Sequence, residues 1–323
     1  MRALLAALLL ASSVQAEDFV ALPGGPPVDM DYLAYDPASG RLFIPAGNTG
    51  KVDVLDTRSG KLSAPIDGWP TARSGDRIQG PSAATVGGGY LYVGNRAGSA
   101  ICAVDLQSLA RKGCATVPSP PDGVFYVAPT REVWVTMPRR HSLQVLSLED
   151  PASPALTAEI KLEGEPEGYA VDEKRGVVLT NFRDKDKTLL LDAKTRKTIA
   201  VHDVGCGQPG PRGIAVDPER ELRFVACAAG GVKSLDANGK LVGEIKTGPG
   251  VDNIDLLLPR RRVYAASGKD GTLTVADVAA NGSMTIVRTA KTAPGGRTVI
   301  VDGAGAAYIP DSTEGRLVVV RGP

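Results

Sequence analysis

The chain has 323 residues, of which 43% are hydrophobic, and its 37 basic and 36 acidic residues give a formal net charge of +1. This balance excludes a general electrostatic attraction to nucleic acid or to an anionic membrane surface. The 38 glycines and 24 prolines, together with few long helical patterns, favour short strands joined by turns.

The first predicted element is a secretory signal peptide over residues 1–16. Arg2 precedes an apolar run from Ala3 to Ala11, and the segment ends in the small-residue sequence Val14-Gln15-Ala16, as cleavable signals do. The run is shorter than the roughly 20 apolar residues of a transmembrane helix. We therefore expect residues 17–323 to form a periplasmic or secreted protein without a membrane span, and nothing in the sequence demands more than a monomer.

Seven similar units follow the predicted signal. Each contains a first strand, a tight turn, a second strand such as LFIPA or LYVGN, and a third strand such as KVDVLD or TLLLD. The first strands end at Tyr35, Val86, Ala128, Val171, Val216, Leu258 and Val301. These positions are 51, 42, 43, 45, 42 and 43 residues apart. With a weaker fourth strand, each unit is predicted to be a four-stranded antiparallel sheet, and a period of about 43 residues is typical of propeller blades.

The predicted fold is therefore all-β, a seven-bladed β-propeller in one domain. Only three residues follow the third strand RLVVV of the last unit, so its fourth strand must come from elsewhere, and DFVALP (18–23) is unassigned at the start. Pairing this N-terminal strand with the last blade would remove two open sheet edges. A pair of stacked sandwiches is the alternative architecture, but it does not account for a uniform period.

The strands LYVGN, VWVTM and VVLTN resemble those of YVTN-type β-propeller repeat proteins, also called YncE-like, which are frequently exported bacterial proteins. Strands ending in VD or LD follow the first and last of these motifs. The resemblance covers essentially the whole predicted mature chain. Because the motif is a structural repeat found in proteins of differing activity, the resemblance implies a fold and leaves the function open.

Four cysteines in an exported chain predict two disulfides. Cys102 begins the third strand of the second unit and Cys114 lies in its fourth strand, so a hairpin places them opposite each other. Cys206 precedes the first strand of the fifth unit and Cys227 ends its second strand, which brings both to one face. The alternative, a metal or redox centre, lacks a C-x-x-C motif and nearby histidines.

Motifs of catalysis are missing from the sequence. It contains no G-x-S-x-G, P-loop, H-E-x-x-H or EF-hand pattern. Of the two histidines, His202 lies in an alternating fourth strand and is expected at the surface or an edge. His141 lies in the loop MPRRHS between second and third strands, on the face where propellers bind ligands. It is the candidate catalytic base, and a solvated loop histidine is the alternative.

Residues just before the inner strands of a propeller surround the mouth of its central channel. Here they carry charges of both signs, which predicts a site for a small polar or anionic ligand. The predicted ligand-binding residues are Asp31, Ser82, Arg96, Asp122, Arg140, Glu167, Arg212, Asn253 and Arg297. In the alternative interpretation, Arg212 and Arg297 only neutralise Asp31 and Glu167.

The same carboxylates are candidate metal ligands. Asp31, Glu167 and Asp252 could hold Ca²⁺ or Mg²⁺ through oxygen atoms, although no contiguous ligand loop supports this. No other cofactor is expected.

One insertion breaks the repeat, and one charged loop has an ambiguous role. The segment IDGWPTARSGDRIQG (66–80) carries Trp69, Arg73 and Arg77 and lengthens the spacing between the first two units. It is predicted to be a lid or a partner-binding finger on the mouth face, or else a tolerated insertion with Trp69 packed against its own loop. The charge run NFRDKDK (181–187) is interpreted mainly as a solvated loop.

Three functions are compatible with this sequence. The first, and the one we expect, is a binding or scaffold propeller that recognises a small polar ligand, peptide or envelope partner at the channel face. The second is a lyase or lactonase, since the chain distantly resembles streptogramin-lyase and lactonase propellers; His141 would be the base, with Glu167 or Asp31 holding a cation, but no inner strand carries a central histidine. The third is a redox-linked accessory propeller, for which no cofactor ligand pattern is visible.

Overall fold

The computed structural model describes residues 18–322, so the predicted signal peptide at 1–16 lies outside the described residues. Within this range the chain forms seven four-stranded antiparallel sheets and one two-stranded hairpin. The predicted seven-bladed propeller is confirmed.

The strands of blades 1 to 6 follow one another in chain order with the same up-and-down pattern. The first described strand, β1 (Asp18–Ala21), belongs to the seventh blade. The first two blades and the hairpin between them contain β2 (Ala34–Asp36), β3 (Arg41–Ala46), β4 (Lys51–Asp56), β5 (Lys61–Leu62), β6 (Ala72–Ser74), β7 (Arg77–Gln79), β8 (Pro81–Gly87), β9 (Tyr90–Asn95), β10 (Ala100–Asp105) and β11 (Arg111–Thr116). Blades 3 and 4 contain β12 (Val124–Val127), β13 (Glu132–Met137), β14 (Ser142–Ser147), β15 (Ala155–Lys161), β16 (Pro166–Asp172), β17 (Val177–Phe182), β18 (Lys187–Asp192) and β19 (Thr198–Asp203).

The remaining blades repeat this order. Blades 5 to 7 contain β20 (Pro211–Asp217), β21 (Leu222–Cys227), β22 (Val232–Leu235), β23 (Leu241–Ile245), β24 (Val251–Leu257), β25 (Arg262–Ser267), β26 (Thr272–Val278), β27 (Met284–Lys291), β28 (Ile300–Val301), β29 (Ala307–Asp311) and β30 (Arg316–Val320). Short 3-10 helices lie at Gly47–Thr49, Pro138–Arg140 and Leu258–Arg260.

The blades close into a ring. Each inner strand contacts the inner strands of its neighbours, from β2 through β8, β12, β16, β20 and β24 to β28, which contacts β2 again. In the seventh blade the N-terminal strand β1 pairs antiparallel with β30, with Asp18 opposite Val319 and Ala21 opposite Arg316. The predicted closure of the ring by pairing of the N-terminal strand with the last blade is therefore confirmed.

Burial explains why the middle strands are continuous apolar runs. They lie between two neighbouring blades, so Leu91, Tyr92 and Val93 of β9 are all fully buried. Outer strands have one face in solvent and alternate: Ile199 and Val201 of β19 are exposed.

Aspartates that end the third strands fix the turns that follow. The carboxylates of Asp56 and Asp105 accept hydrogen bonds from the backbone and side chain of Ser59 and Ser108.

Both predicted disulfides are present. Cys102 and Cys114 lie opposite each other in the β10–β11 ladder and are bonded. Cys206 and Cys227 are bonded across 21 residues, and this second bond fixes the loop that leads into β20. Within residues 18–322 no cysteine is free, and no helix is long and apolar enough to cross a membrane.

We expect that a chain beginning at residue 22 will be less stable than a chain beginning at residue 17. The deletion removes the four β1–β30 residue pairs, and at roughly 0.5 kcal/mol for each lost hydrogen bond the free energy of unfolding should fall by about 2 kcal/mol. Denaturant unfolding measures the loss, and gel filtration should show a larger oligomer fraction because β30 becomes an open edge. Equal stability and equal elution of the two chains would contradict the closure.

Candidate functional site

Charged residues from all seven blades meet at one end of the central channel, on what we call the top face. Most of these residues lie just before an inner strand or at its start. The others lie in loops between the second and third strands of a blade. Both kinds of segment are found on the same face of a propeller. We call the following nine residues the mouth network: Asp31, Arg96, Asp122, Glu165, Glu167, Arg183, Arg212, Asp252 and Arg297.

Arg96 and Arg297 connect the acids of blades 1, 3 and 6. Nη2 of Arg96 lies 2.9 Å from Asp31 and 2.7 Å from Asp122. Nε of Arg297 lies 2.6 Å from Asp252, and its Nη2 lies 3.5 Å from Asp31. Asp31 therefore accepts from both arginines across the seam between the first and last blades.

Arg183 and Arg212 surround Glu167 on the other side of the channel. Arg183 donates from Nε to Glu165 at 2.6 Å and from Nη1 to Glu167 at 2.9 Å. Nη1 of Arg212 lies 3.6 Å from Glu167. The predicted neutralisation, Arg212 with Glu167 and Arg297 with Asp31, is thus present, although the network has five carboxylates for four arginines and one negative charge in excess.

Burial raises the pKa of three carboxyl groups of the mouth network. Burial, followed by the charges of Asp122 and Asp252, raises the pKa of Glu167 to about 7, and Arg183 and Arg212 offset only part of the shift. Burial likewise raises the pKa of Asp122 and Asp252. A carboxyl that titrates near neutral pH in a cleft is a candidate functional group.

Two tyrosine rings, one from blade 1 and one from blade 4, meet beneath the mouth network. The ring centroids of Tyr32 and Tyr169 are 5.6 Å apart, and Tyr169 stacks on Phe125 at 4.5 Å. A side chain at Gly123 would collide with Tyr169, whose ring lies 2.3 Å from the position of a Cβ. Burial raises the pKa of both tyrosines, with smaller contributions from mouth-network acids. Tyr32 directly follows Asp31 and Tyr169 comes two residues after Glu167, so both tyrosines lie next to the mouth network on the side of the channel interior, and we call them its floor.

A second cavity lies below this floor. It has a volume of about 380 Å³ and is lined by Tyr32, Tyr169 and apolar residues of the inner strands, among them Val86, Ile214 and Leu256. The lining also contains the polar residues Thr85, Asn253 and Asp255, so the lower end of the channel combines apolar and polar groups and has far fewer charges than the mouth.

The insertion at 66–80 forms the hairpin β6–β7 beside the mouth. Its residues Arg77, Ile78 and Gln79 line a cavity of about 260 Å³ together with Asp31 and Arg297. The predicted location of the insertion on the mouth face is confirmed. We call this space the side cavity.

Trp69 belongs to the base of this insertion and is not part of the cavity. It is 4% exposed, packs in the core between blades 1 and 2, and donates from Nε1 to the carbonyl of Ile66 at 2.9 Å. The alternative in which Trp69 packs against its own loop holds for the hydrogen bond to Ile66, whereas the ring itself packs against the two blades.

The structure brings most of the predicted ligand-binding residues together. Asp31, Arg96, Asp122, Glu167, Arg212 and Arg297 belong to the mouth network, and Ser82 lines the side cavity.

Three predicted site residues lie elsewhere. Asn253 lines the lower cavity, and its side-chain oxygen accepts a hydrogen bond from the backbone of Ile254. Arg140 lies outside the network, 3.4 Å from Glu159. His141 is at the network's edge: its side chain is 46% exposed, with Nε2 4.0 Å from Glu165.

The interpretation of 181–187 as a solvated loop is wrong for its first three residues, of which Phe182 is buried in the core. Arg183 is a central member of the mouth network, and Asn181 is fully buried and donates to the carbonyl of Arg212 at 2.6 Å. The sequence did contain a signal for the role of Arg183, because a basic residue in a top-face loop of the blade that carries Glu165 and Glu167 can pair with them. The high content of charged residues in 181–187 had favoured a solvated loop instead.

The candidate metal ligands are engaged by arginines. Asp31 and Asp252 contact Arg297, and Glu167 contacts Arg183 and Arg212. Among residues 18–322, no group of three or more His, Cys, Asp or Glu side chains is arranged to hold a metal ion. Calcium or magnesium binding stays a hypothesis.

Comparison with known proteins supports the fold alone. No protein-family model matches the sequence, and no curated protein matches it, so membership of the YVTN-type family stays a prediction. A chain in the crystal structure of a mitotic checkpoint complex is similar with a TM-score of 0.78 and 13% identity, covering 100% of this chain and 97% of that one. The Myceliophteria thermophila Cps50 (Swd1) β-propeller domain has a TM-score of 0.75 and 10% identity, covering 95% and 100%. A streptogramin B lyase has a TM-score of 0.73 and 10% identity, covering 95% and 98%.

We expect Glu167→Gln to remove part of the pH dependence of stability. The native pKa of about 7 lies above the ordinary value of 4.5, so the native state holds the proton more tightly than the unfolded state. This stabilisation is fully present below pH 4.5 and is lost as the pH rises through 7. Across this window the wild type should lose on the order of 3 kcal/mol that the variant does not lose, as measured by denaturant unfolding at a series of pH values.

Glu159→Gln is the matched control. Hydrogen bonding to Lys161 lowers the pKa of Glu159 to about 2, so this substitution should leave the profile above pH 4.5 unchanged. Parallel profiles for the wild type and Glu167→Gln would show that the native pKa of Glu167 is not raised.

Proposed function

We propose that this protein is an extracytoplasmic binding propeller that recognises a small polar ligand, or a polar segment of a peptide or envelope partner, at the mouth of its central channel. The observation that carries this proposal is the mouth network itself, in which nine charged side chains are collected around one opening above an aromatic floor. It is supported by the adjoining side cavity of about 260 Å³.

The network suits binding because its charges are held in place before a ligand arrives. Each arginine is already oriented by a carboxylate, so a ligand carboxylate or ammonium group would exchange partners without a large ordering cost. Arg297 is the most accessible of the four arginines, with 52% of its side chain exposed. Tyr32 and Tyr169 beneath the network would hold a ligand at the level of the charged side chains.

The extracytoplasmic location is supported by the two disulfides, since such bonds persist in oxidising compartments. A protein partner is supported by the mitotic checkpoint complex, in which a chain of the same fold is found in a protein assembly.

The test is a thermal-shift screen of small anions, cations, zwitterions, sugars and short peptides. We expect at least one class to raise the melting temperature of the wild type and to have little effect on the double variant Arg212→Ala/Arg297→Ala. Loss of two charge-assisted hydrogen bonds should weaken binding by about a hundredfold or more.

Arg175→Ala is the control for removal of a paired arginine. Arg175 contacts Asp172 at 3.0 Å and also Glu221, and it lies at the opposite face, so this variant should keep the wild-type response. A response of equal size in the double variant, or no response from any class, would contradict the proposal. Circular dichroism of the double variant checks that it is folded.

A lyase or lactonase activity is the second candidate, and the raised pKa of Glu167 favours it, because an acid that titrates near the working pH is an efficient proton donor or acceptor. Under this candidate, a panel of lactones and cyclic esters should contain a substrate of the wild type. Glu167→Gln should then lower the rate by about a hundredfold or more, and His141→Ala shows whether the exposed histidine takes part. A panel that the wild type leaves unchanged contradicts this candidate.

A further inference from the structure

The hairpin β6–β7 is held firmly against the mouth. Its base is fixed by the buried Trp69, and Arg111 covers the Trp69 ring at 5.2 Å and donates to the carbonyl of Gly68 at 2.6 Å. At its other end, Gly80 lies so close to blade 1 that a Cβ there would be 2.1 Å from the carbonyl oxygen of Gly47. The hairpin is therefore a fixed wall of the side cavity.

The lining of the side cavity contains three arginines, Arg77, Arg96 and Arg297, and two aspartates, Asp29 and Asp31. Arg96 and Arg297 also contact Asp122 and Asp252, which lie outside the lining. Asp31 is already bonded by two of these arginines.

Arg77 is the cation most available to a ligand. Its guanidinium has no ion-pair partner among residues 18–322. Half of the Arg297 side chain is exposed in the same lining. Two guanidinium groups are therefore available at one small cavity, and such groups match the geometry of carboxylate and phosphate oxygens.

A buried hydroxyl in the cavity lining also lacks a partner. Ser82 is 6% exposed, and its Oγ has no hydrogen-bond partner within the described part of the chain. A buried polar atom without a partner costs free energy, and buried hydroxyls in proteins are normally bonded. Because the Oγ atom itself is buried, a rotation of the Ser82 side chain toward the cavity would let it donate to an oxygen of a bound ligand.

We propose that the side cavity binds the carboxylate or phosphate group of a small anionic ligand, with Arg77 and Arg297 pairing to its oxygens and the hydroxyl of Ser82 donating to it. This inference rests on the proposed function, because it names the class of ligand and places its anionic group beside the hairpin, off the channel axis. A cavity of about 260 Å³ lies near the lower end of ligand-pocket volumes, so the ligand has the size of a simple metabolite.

The experiment uses succinate and inorganic phosphate as probes, titrated calorimetrically into the mature protein at constant ionic strength set with sodium chloride. We expect saturable binding of at least one probe to the wild type, and the comparison of the two probes distinguishes a carboxylate ligand from a phosphate ligand. Arg77→Ala should weaken binding about tenfold or more, the loss expected for one charge-assisted hydrogen bond, and Ser82→Ala about threefold.

Arg73→Ala is the matched control, because Arg73 lies on the same hairpin and carries the same charge but does not line the cavity. It should bind both probes as the wild type does. Equal weakening by Arg73→Ala and Arg77→Ala would show a general electrostatic effect and overturn the inference, as would the lack of saturable binding of either probe.

The two proposals fail in distinguishable ways. If neither anion binds but another class of solute stabilises the wild type in a manner that depends on Arg212 and Arg297, the side-cavity inference is wrong and the proposed function stands. If no solute binds the wild type at all, both are wrong.

Discussion

Burial of both faces of every blade is the constraint on which this structure depends. A four-stranded sheet with two apolar faces is stable only between two neighbours, so a row of such sheets must close on itself or leave an apolar face and an open edge at each end. Here the closing contact is made twice, by β28 against β2 and by β1 against β30. Because the N-terminal strand completes the last sheet, the circle is joined by backbone hydrogen bonds as well as by side-chain packing.

Closure also creates the candidate site. Arg297 and Asp31 are 266 residues apart in the chain, yet their side chains lie 3.5 Å apart across the seam. Every inner strand begins at the top face, so each blade delivers its entry residues to one axis, and charges that are distant in sequence share one poorly solvated space. The raised pKa of Glu167 follows from this gathering, because burial and the neighbouring Asp122 and Asp252 act on it together. The site is a property of the whole ring.

The repeat made the fold predictable, whereas the site was predictable only in part. A regular period of apolar strands is the pattern of propeller blades. The residues that precede each inner strand lie at the mouth of the channel, and Asp31, Glu167, Arg212 and Arg297 were predicted there because each lies four positions before the end of a first strand. The repeat does not predict the conformation of the loops between second and third strands. Arg183 reaches Glu165 and Glu167, while Arg140, from a loop of the same class, turns outward to Glu159. Side-chain direction in a loop is set by local backbone geometry that no periodicity encodes.

The rings of Tyr32 and Tyr169, whose centroids are 5.6 Å apart, have a consequence for the axis as a whole. Tyr32 directly follows Asp31 in the chain and Tyr169 comes two residues after Glu167, and both tyrosines also line the lower cavity. The same two inner strands therefore shape the mouth and the lower cavity, so a rearrangement of either tyrosine would alter both spaces together.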